Sequence, residues 1–282
     1  MNNAAVLITG CSTGVGAAAA RQFLALGHPV YATARQPESL EDLAAAGAVT
    51  MALDVLSDDS ITAAVKRVEA DHGAVGVLVN NAAYGIQGAM ETADLDAIRT
   101  MFDTNLFGLA RTAQLALPAM RARRTGRIIN ISSMGGHFSL PGAGFLHATK
   151  HAVEAVSDAQ RLELKPFGIH VAIVEPGPIR SAFHGKINAT LPSAPDSGPY
   201  ADFHEAVRTR IERAYEPRPW NLVLEPDDVA KAILRAATAR RPRARYPVGL
   251  MAHGTKVLTR ILPDSGIDGL TRLLFPVPRQ QD

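Results

Sequence analysis

One cysteine, Cys11, in 282 residues removes two kinds of architecture at once, because a disulfide-stapled scaffold and a cysteine-ligated zinc site both need more. Excess charge is missing too. Twenty-nine Lys and Arg face 27 Asp and Glu, a formal +2, so no dominant charge draws the chain to nucleic acid. Two basic clusters (Arg121, Arg123, Arg124, Arg127 and Arg240, Arg241, Arg243, Arg245) read as solvated faces near helix ends. Apolar runs fit to cross a bilayer are absent. Residues 1–20 carry no charge but lack the basic start and cleavage signature of a signal peptide, and Gly10, Gly14 and Gly16 interrupt them. Residues 128–149 contain Asn130, Ser132, Ser133, His137 and Pro141, too polar for a span. A cytoplasmic protein without membrane contact is expected. With 23 glycines and 18 prolines, the chain is neither collagenous nor of low complexity. No repeat or linker divides it, so one domain over 1–282 is expected.

What is present is a rhythm. Short apolar runs at Ala4–Thr9, Pro29–Thr33, Val49–Leu53, Val77–Asn80, Arg127–Ile131 and Ile169–Val174 alternate with helical patterns at 14–26, 38–46, 58–72, 91–122 and 144–166. Fully apolar strands between helices predict a parallel sheet covered on both faces. The fold class is therefore α/β, a doubly wound parallel sheet. After Pro176 the rhythm breaks. Residues 177–200 hold Pro178, Pro192, Pro195 and Pro199 and read as a long loop over the strand ends. Helices near 201–215 and 226–240 and a strand at Tyr246–Val248 follow, then one or two amphipathic helices between Ala252 and Leu274, for which core packing is expected. The region 177–220, with Phe183, His184, Leu191, Tyr200, Phe203, Tyr215 and Trp220, predicts a lid and an apolar pocket wall. The tail beyond about 250 is helical to the end of the chain.

Thr9-Gly10-Cys11-Ser12-Thr13-Gly14-Val15-Gly16 joins the first strand to the first helix. Glycines there let the chain turn, let backbone approach a pyrophosphate and let helix pack on strand, while the helix N-terminus meets phosphate charge. That position makes it a dinucleotide loop, which a glycine triplet elsewhere would not be. The second strand ends Ala32-Thr33-Ala34-Arg35, with no carboxylate to bind a ribose 2′-hydroxyl. Arg35 suits a 2′-phosphate, hence NADP(H). Asp54, closing the third strand beside Val55, suits the adenine amino group, or is a simple turn carboxylate. Cys11 is a small filler rather than a nucleophile.

These residues resemble the short-chain dehydrogenase/reductase family, whose fold is Rossmann-like. Thr9–Gly16 matches its cofactor loop, Asn80-Asn81-Ala82-Ala83 its Asn-Asn-Ala motif, and Asn105 its tetrad asparagine. Ile131-Ser132-Ser133 matches its serine strand, and Pro176-Gly177, with Ile179 following, the turn beside the nicotinamide. The stretches 136–142 and 245–249 are most similar to the branch with 17β-hydroxysteroid and retinol dehydrogenases, which implies an apolar alcohol or ketone as substrate. The resemblance further implies that Ser133 polarises the substrate oxygen and that Lys150 holds the ribose. A tyrosine four residues before the lysine would exchange the proton. In this sequence position 146 is leucine.

Leu146 has no proton to give, so the resemblance implies an incomplete tetrad of Asn105, Ser133, Leu146 and Lys150. Tyr84 and His137 are the candidate pocket-side replacements, with Phe183 as a further pocket residue. His147 is turned away, since one residue along a helix rotates a side chain by about 100°. Four readings follow: an NADP(H)-dependent oxidoreductase with rerouted proton transfer, or an ordinary reductase altered at 146 to trap substrate. The others are a non-redox enzyme on the same scaffold (dehydratase, isomerase, cyclase or aldol-type) and a non-catalytic NADP-binding protein. The resemblance also implies a homodimer or homotetramer paired through the two long helices. A hydrophobic small molecule is the expected partner, and no metal site is expected.

Overall fold

The computed structural model describes residues 3–192, 198–216 and 222–278. In chain order the elements are β1 (Val6–Ile8), α1 (Gly14–Ala25), β2 (Val30–Ala34), α2 (Glu41–Ala45), β3 (Val49–Ala52), α3 (Asp58–His72) and β4 (Val77–Asn80). Then come α4 (Leu95–Phe102), α5 (Gly108–Ala122), β5 (Gly126–Ile131), α6 (Gly144–Leu164), β6 (Ile169–Pro176), α7 (Ala182–Asn188) and α8 (Ala201–Tyr215). The last four are α9 (Pro226–Thr238), β7 (Arg245–Val248), α10 (Leu250–Ile261) and α11 (Asp264–Leu274).

The strands form one parallel sheet in the order β3-β2-β1-β4-β5-β6-β7. Strand order reverses between β1 and β4, and ligands of open α/β sheets bind at the carboxyl ends beside such a reversal. Period-2 alternation divides the apolar residues between the two faces. Val6, Ile8, Val77, Val79 and Ile129 join the core that includes residues of α1 and α9. Leu7, Leu78, Ile128 and Val171 join the core that includes residues of α3 and α5. The two layers bury the five inner strands, which is why those read as apolar runs, while the edge strands β3 and β7 are only partly covered.

Several expectations need correction. The helical pattern at 91–122 begins only at Leu95, where Asp94 accepts from the Asp96 and Ala97 amides, and it is broken by a π turn over Asp103–Phe107. The expected loop 177–200 contains α7, while Pro195 and Trp220 lie outside the described residues. Two of the supposedly solvated arginines are drawn inward. Arg127 is 4% exposed and donates to the Ala239 carbonyl at the end of α9 (2.7 Å), and Arg245 is drawn into an ion-pair cluster. The tail is two helices, but its apolar side is not core. Leu250, Val257, Leu258, Ile261 and Leu273 are exposed, and α10 turns Ala252 and Lys256 inward. No helix among the described residues is long and apolar enough to cross a membrane.

Candidate active site

The loop after β1 is fixed from below by Thr9 and Asn81. The Thr9 hydroxyl accepts from the amides of Asn81 and Ala82 (both 3.0 Å), and Asn81 Nδ2 donates to the carbonyls of Thr9 and Gly10 (both 2.9 Å). Gly10 has φ +74, and a Cβ there would lie 2.9 Å from the Ala82 Cα. A Cβ on Gly16 would collide with the Gly10 carbonyl. Both glycines are therefore demanded by close packing. Ser12 and Thr13 are exposed, Val15 is buried, and α1 starts with no side chain capping its first amides. Those open amides and the helix dipole suit a pyrophosphate. Cys11 is buried, and burial pushes its thiol up to about 12, so it is inert.

At the adenine end, Arg35 is exposed and makes no hydrogen bond or ion pair among the described residues, which leaves its guanidinium open to a ligand. Asp54 Oδ1 already accepts from the Leu56 amide (3.0 Å), so its turn role is realised. Val55 packs against Gly108 at the head of α5. The cradle, the open helix end and the free Arg35 together fit a phosphorylated dinucleotide.

At the far end, Asn105 sits inside the π turn, a local widening often found at functional positions. It is 2% exposed and fully used: Oδ1 accepts from the Tyr84 amide (2.8 Å), and Nδ2 donates to the Tyr84 carbonyl (2.8 Å) and the Thr149 hydroxyl (3.0 Å). Asn105 thus clamps the backbone after Asn80–Ala83 to the start of α6. Ser133, just beyond β5, accepts from the Gly135 amide (3.1 Å), and its own proton remains available to a ligand oxygen. Lys150 is buried and donates to the Ile131 carbonyl (3.0 Å). Burial lowers its ammonium to about 8, and the Glu154 charge one turn on opposes that fall. Leu146, one turn before Lys150, is half-buried, and its Cδ1 would lie 3.4 Å from a Cβ on Gly85.

The structure sorts the proposed substitutes for a phenol at 146. His147 is a packing residue. Its Nδ1 donates to the Phe138 carbonyl (2.9 Å), and burial lowers it to about 4, so it stays neutral. His137 is taken up by Glu175, its Nε2 lying 2.9 Å from Oε1. Tyr84 keeps a half-buried side chain behind its clamped backbone. Phe183, expected in the pocket wall, is 36% exposed. The lid core is made instead by Leu191, Phe203, Val207 and Ile211 with Tyr200 and Tyr215 against them.

Sequence reasoning missed a buried charge cluster beside Pro176 and Gly177. Glu175 meets His137, Lys256 (3.0 Å) and Arg245 (3.1 Å), and Arg245 also reaches Glu154 (2.9 Å) and Asp158 (2.7 Å). Burial raises the Glu175 carboxyl, but the hydrogen bonds from His137 and Lys256 outweigh that and hold it below the usual range. His137, Glu154 and Glu175 offer atoms within 4.8 Å of one another, yet Arg245 and Lys256 already balance the two carboxylates. The only sequence signal was a carboxylate ending an apolar strand.

The sequence model of the family described as short chain dehydrogenase matches residues 4–192. A 3-ketodihydrosphingosine reductase from Bacteroides thetaiotaomicron is 34% identical over 96% of this chain and 98% of its own length. Retinol dehydrogenase 8 from Homo sapiens is 33% identical over 97% and 91%. Among solved structures, a short-chain dehydrogenase from Streptomyces avermitilis aligns with a TM-score of 0.78 at 33% identity, covering 95% of each chain. A metagenomic short-chain oxidoreductase in complex with NADP aligns with a TM-score of 0.68 at 27% identity, covering 88% of this chain and 96% of its own.

Proposed function

The chain belongs to the short-chain dehydrogenase/reductase family, and from that premise we propose that it is an NADP(H)-dependent oxidoreductase acting on a hydrophobic carbonyl or alcohol. The observation that carries the reading is the gathering of Asn105, Ser133 and Lys150 at the strand ends served by the Gly10–Gly16 loop. An exposed, unengaged Arg35 supports NADP(H) over NAD(H), as does the NADP named with a solved relative. The names 3-ketodihydrosphingosine reductase and retinol dehydrogenase support an apolar substrate.

When bound, the nicotinamide supplies the hydride. The chain's own residues do the rest. Gly14, Val15 and Gly16 present amides to the pyrophosphate, with Ser12 and Thr13 flanking. Arg35 takes the 2′-phosphate, and Asp54, Val55, Asn81 and Ala82 line the cleft. Lys150 holds the ribose, while Pro176, Gly177 and Ile179 wall the nicotinamide. Ser133 donates to the substrate oxygen. Leu146 excludes water but moves no proton, so this is an atypical, slowed tetrad. A positioned acid is worth roughly 10²–10⁴-fold, so chemistry without one is slow rather than forbidden.

Leu146 also favours a second reading, a non-redox enzyme in which Ser133 polarises a carbonyl and Leu146 shapes the pocket. Reaction with NADPH deuterated at the transferring position separates the two. Deuterium on the carbinol carbon of an apolar ketone's product supports reductase chemistry. Substrate turnover with no cofactor oxidation refutes it. Exposed Leu95 on α4, Phe107 in the π turn and Leu162 on α6 support pairing of copies into a homodimer or homotetramer.

A further inference from the structure

Ser133 opens a turn that has little grip of its own. Its two middle residues are glycines pressed against α6. A Cβ on Gly135 would lie 2.9 Å from the His147 ring, and one on Gly136 would lie 2.9 Å from Glu154 Cγ and 3.0 Å from Ser132 Oγ. Within the turn the Ser133 hydroxyl accepts from the Gly135 amide (3.1 Å). The Gly136 amide donates to the Ser133 carbonyl (3.0 Å), and the His137 amide donates to the Met134 carbonyl (3.2 Å). These bonds set the shape of the turn, and with it the direction of the Ser133 hydroxyl. They do not set where the turn sits over the strand ends.

Two histidines hold that place from different sides. His147 of α6 donates from Nδ1 to the Phe138 carbonyl (2.9 Å), which ties the end of the turn to α6. His137 reaches the other way. Its Nε2 donates to Oε1 of Glu175 (2.9 Å), the residue directly before Pro176 and Gly177. Glu175 is 1% exposed and is anchored independently of His137, by Lys256 of α10 (3.0 Å) and Arg245 of β7 (3.1 Å). The His137–Glu175 pair is therefore a strap from the serine turn to the turn that closes β6, and a bond to an ionised acceptor is among the stronger ones.

We propose that His137 is a positioning residue, which through its grip on Glu175 fixes the Ser133 hydroxyl relative to the nicotinamide turn. The inference rests on the reading that NADP(H) lies with its nicotinamide beside Pro176–Ile179 and that the substrate oxygen lies on Ser133. Hydride transfer needs the carbonyl carbon over the nicotinamide while the carbonyl oxygen stays on the serine. An error in the spacing of the two turns is thus an error in the reacting geometry. Leu146 offers that oxygen no hydrogen bond, which leaves its orientation to Ser133. Lys256 and Arg245 stay on Glu175 when His137 is replaced, so the strap can be cut without stranding the carboxylate.

The test is a double-mutant cycle in the full chain, with Ser133→Ala, His137→Leu, their combination, and His137→Gln, whose amide still donates to Glu175. It reads kcat and KM for NADPH-driven reduction of a panel of apolar ketones, NADPH affinity, melting, and amide hydrogen exchange of the 133–137 turn without cofactor. His137→Leu is expected to lower kcat by about ten- to a hundredfold, with NADPH affinity unchanged and faster exchange at Gly135 and Gly136. His137→Gln is expected to recover most of both. In the Ser133→Ala background, His137→Leu is expected to produce no further loss, because it acts through that hydroxyl. Unaltered kcat or exchange in His137→Leu, losses that multiply in the double variant, or no recovery in His137→Gln overturns the inference alone. A parent that reduces no ketone, or that loses nothing on Ser133→Ala, overturns the proposed function together with it. Should His137→Leu not fold, His137→Asn, polar but too short for the strap, takes its place in the same cycle.

Discussion

Lys150 should make the cofactor-free protein less stable, and replacing it should reveal by how much. Its ammonium is buried with one carbonyl partner and falls from 10.5 to about 8 in the folded state. At 1.36 kcal/mol per pKa unit, that fall is a cost of about 3 kcal/mol to hold the charge inside. The direction is fixed by proton counting. Below pH 8 both states are protonated and the folded state bears the full cost. Between 8 and 10.5 the unfolded chain holds more protons, so stability rises with pH, and above 10.5 the cost is gone. Lys150→Met keeps the volume, removes the charge and forfeits the bond to Ile131, worth about 1 kcal/mol. The variant should therefore be about 2 kcal/mol more stable at pH 7, with that advantage gone near pH 10.5, while NADPH binding weakens by about 1.5–3 kcal/mol through loss of a charged donor. Denaturant unfolding of both proteins without cofactor at pH 7 and at high pH measures the first, and NADPH titration the second. A variant less stable than the parent at pH 7 would refute the reasoning, since the lysine would then be solvated or paired.

Leu146→Tyr places a phenol one turn from Lys150 and should raise NADPH-dependent reduction of an apolar ketone by roughly 10²–10⁴-fold; steady-state assays that find no gain, with cofactor still bound, favour the non-redox reading. Arg35→Ala should weaken NADPH by about 1.5–3 kcal/mol and leave NADH unchanged, and fluorescence titrations that find equal parent affinities for both would remove the case for NADP(H). Glu175→Gln strips Lys256 and Arg245 of a buried counter-charge, at a cost of about 3–5 kcal/mol; hydrogen exchange should show α10 opening first, and an unaltered melting curve would mean that water already compensates those charges.

The parts of the fold that were legible are those set by local chemistry. Fully apolar strands announced a two-faced parallel sheet, and a glycine loop between the first strand and helix announced the phosphate cradle. The run from Asn80 to Ala83 was readable as motif, and the clamp of Asn105 on the Tyr84 backbone just after it ties the two motifs together. The break at Asp103–Phe107 was not legible, because the residues there keep a helical pattern and only the hydrogen bonds widen. Arg127 and Arg245 looked solvated because an arginine's surroundings depend on sheet order. β7 lies beside β6 at the edge, and α6 brings Glu154 and Asp158 to it.

The tail shows the same limit. Periodicity in 250–274 specifies a helix with one apolar face, but it does not say which way that face points. Lys256 has a buried carboxylate to reach, and its pairing with Glu175 turns that side of α10 inward, so Leu250, Val257, Leu258 and Ile261 face out. A buried ion pair thus overrides the hydrophobic pattern in setting the helix's rotation.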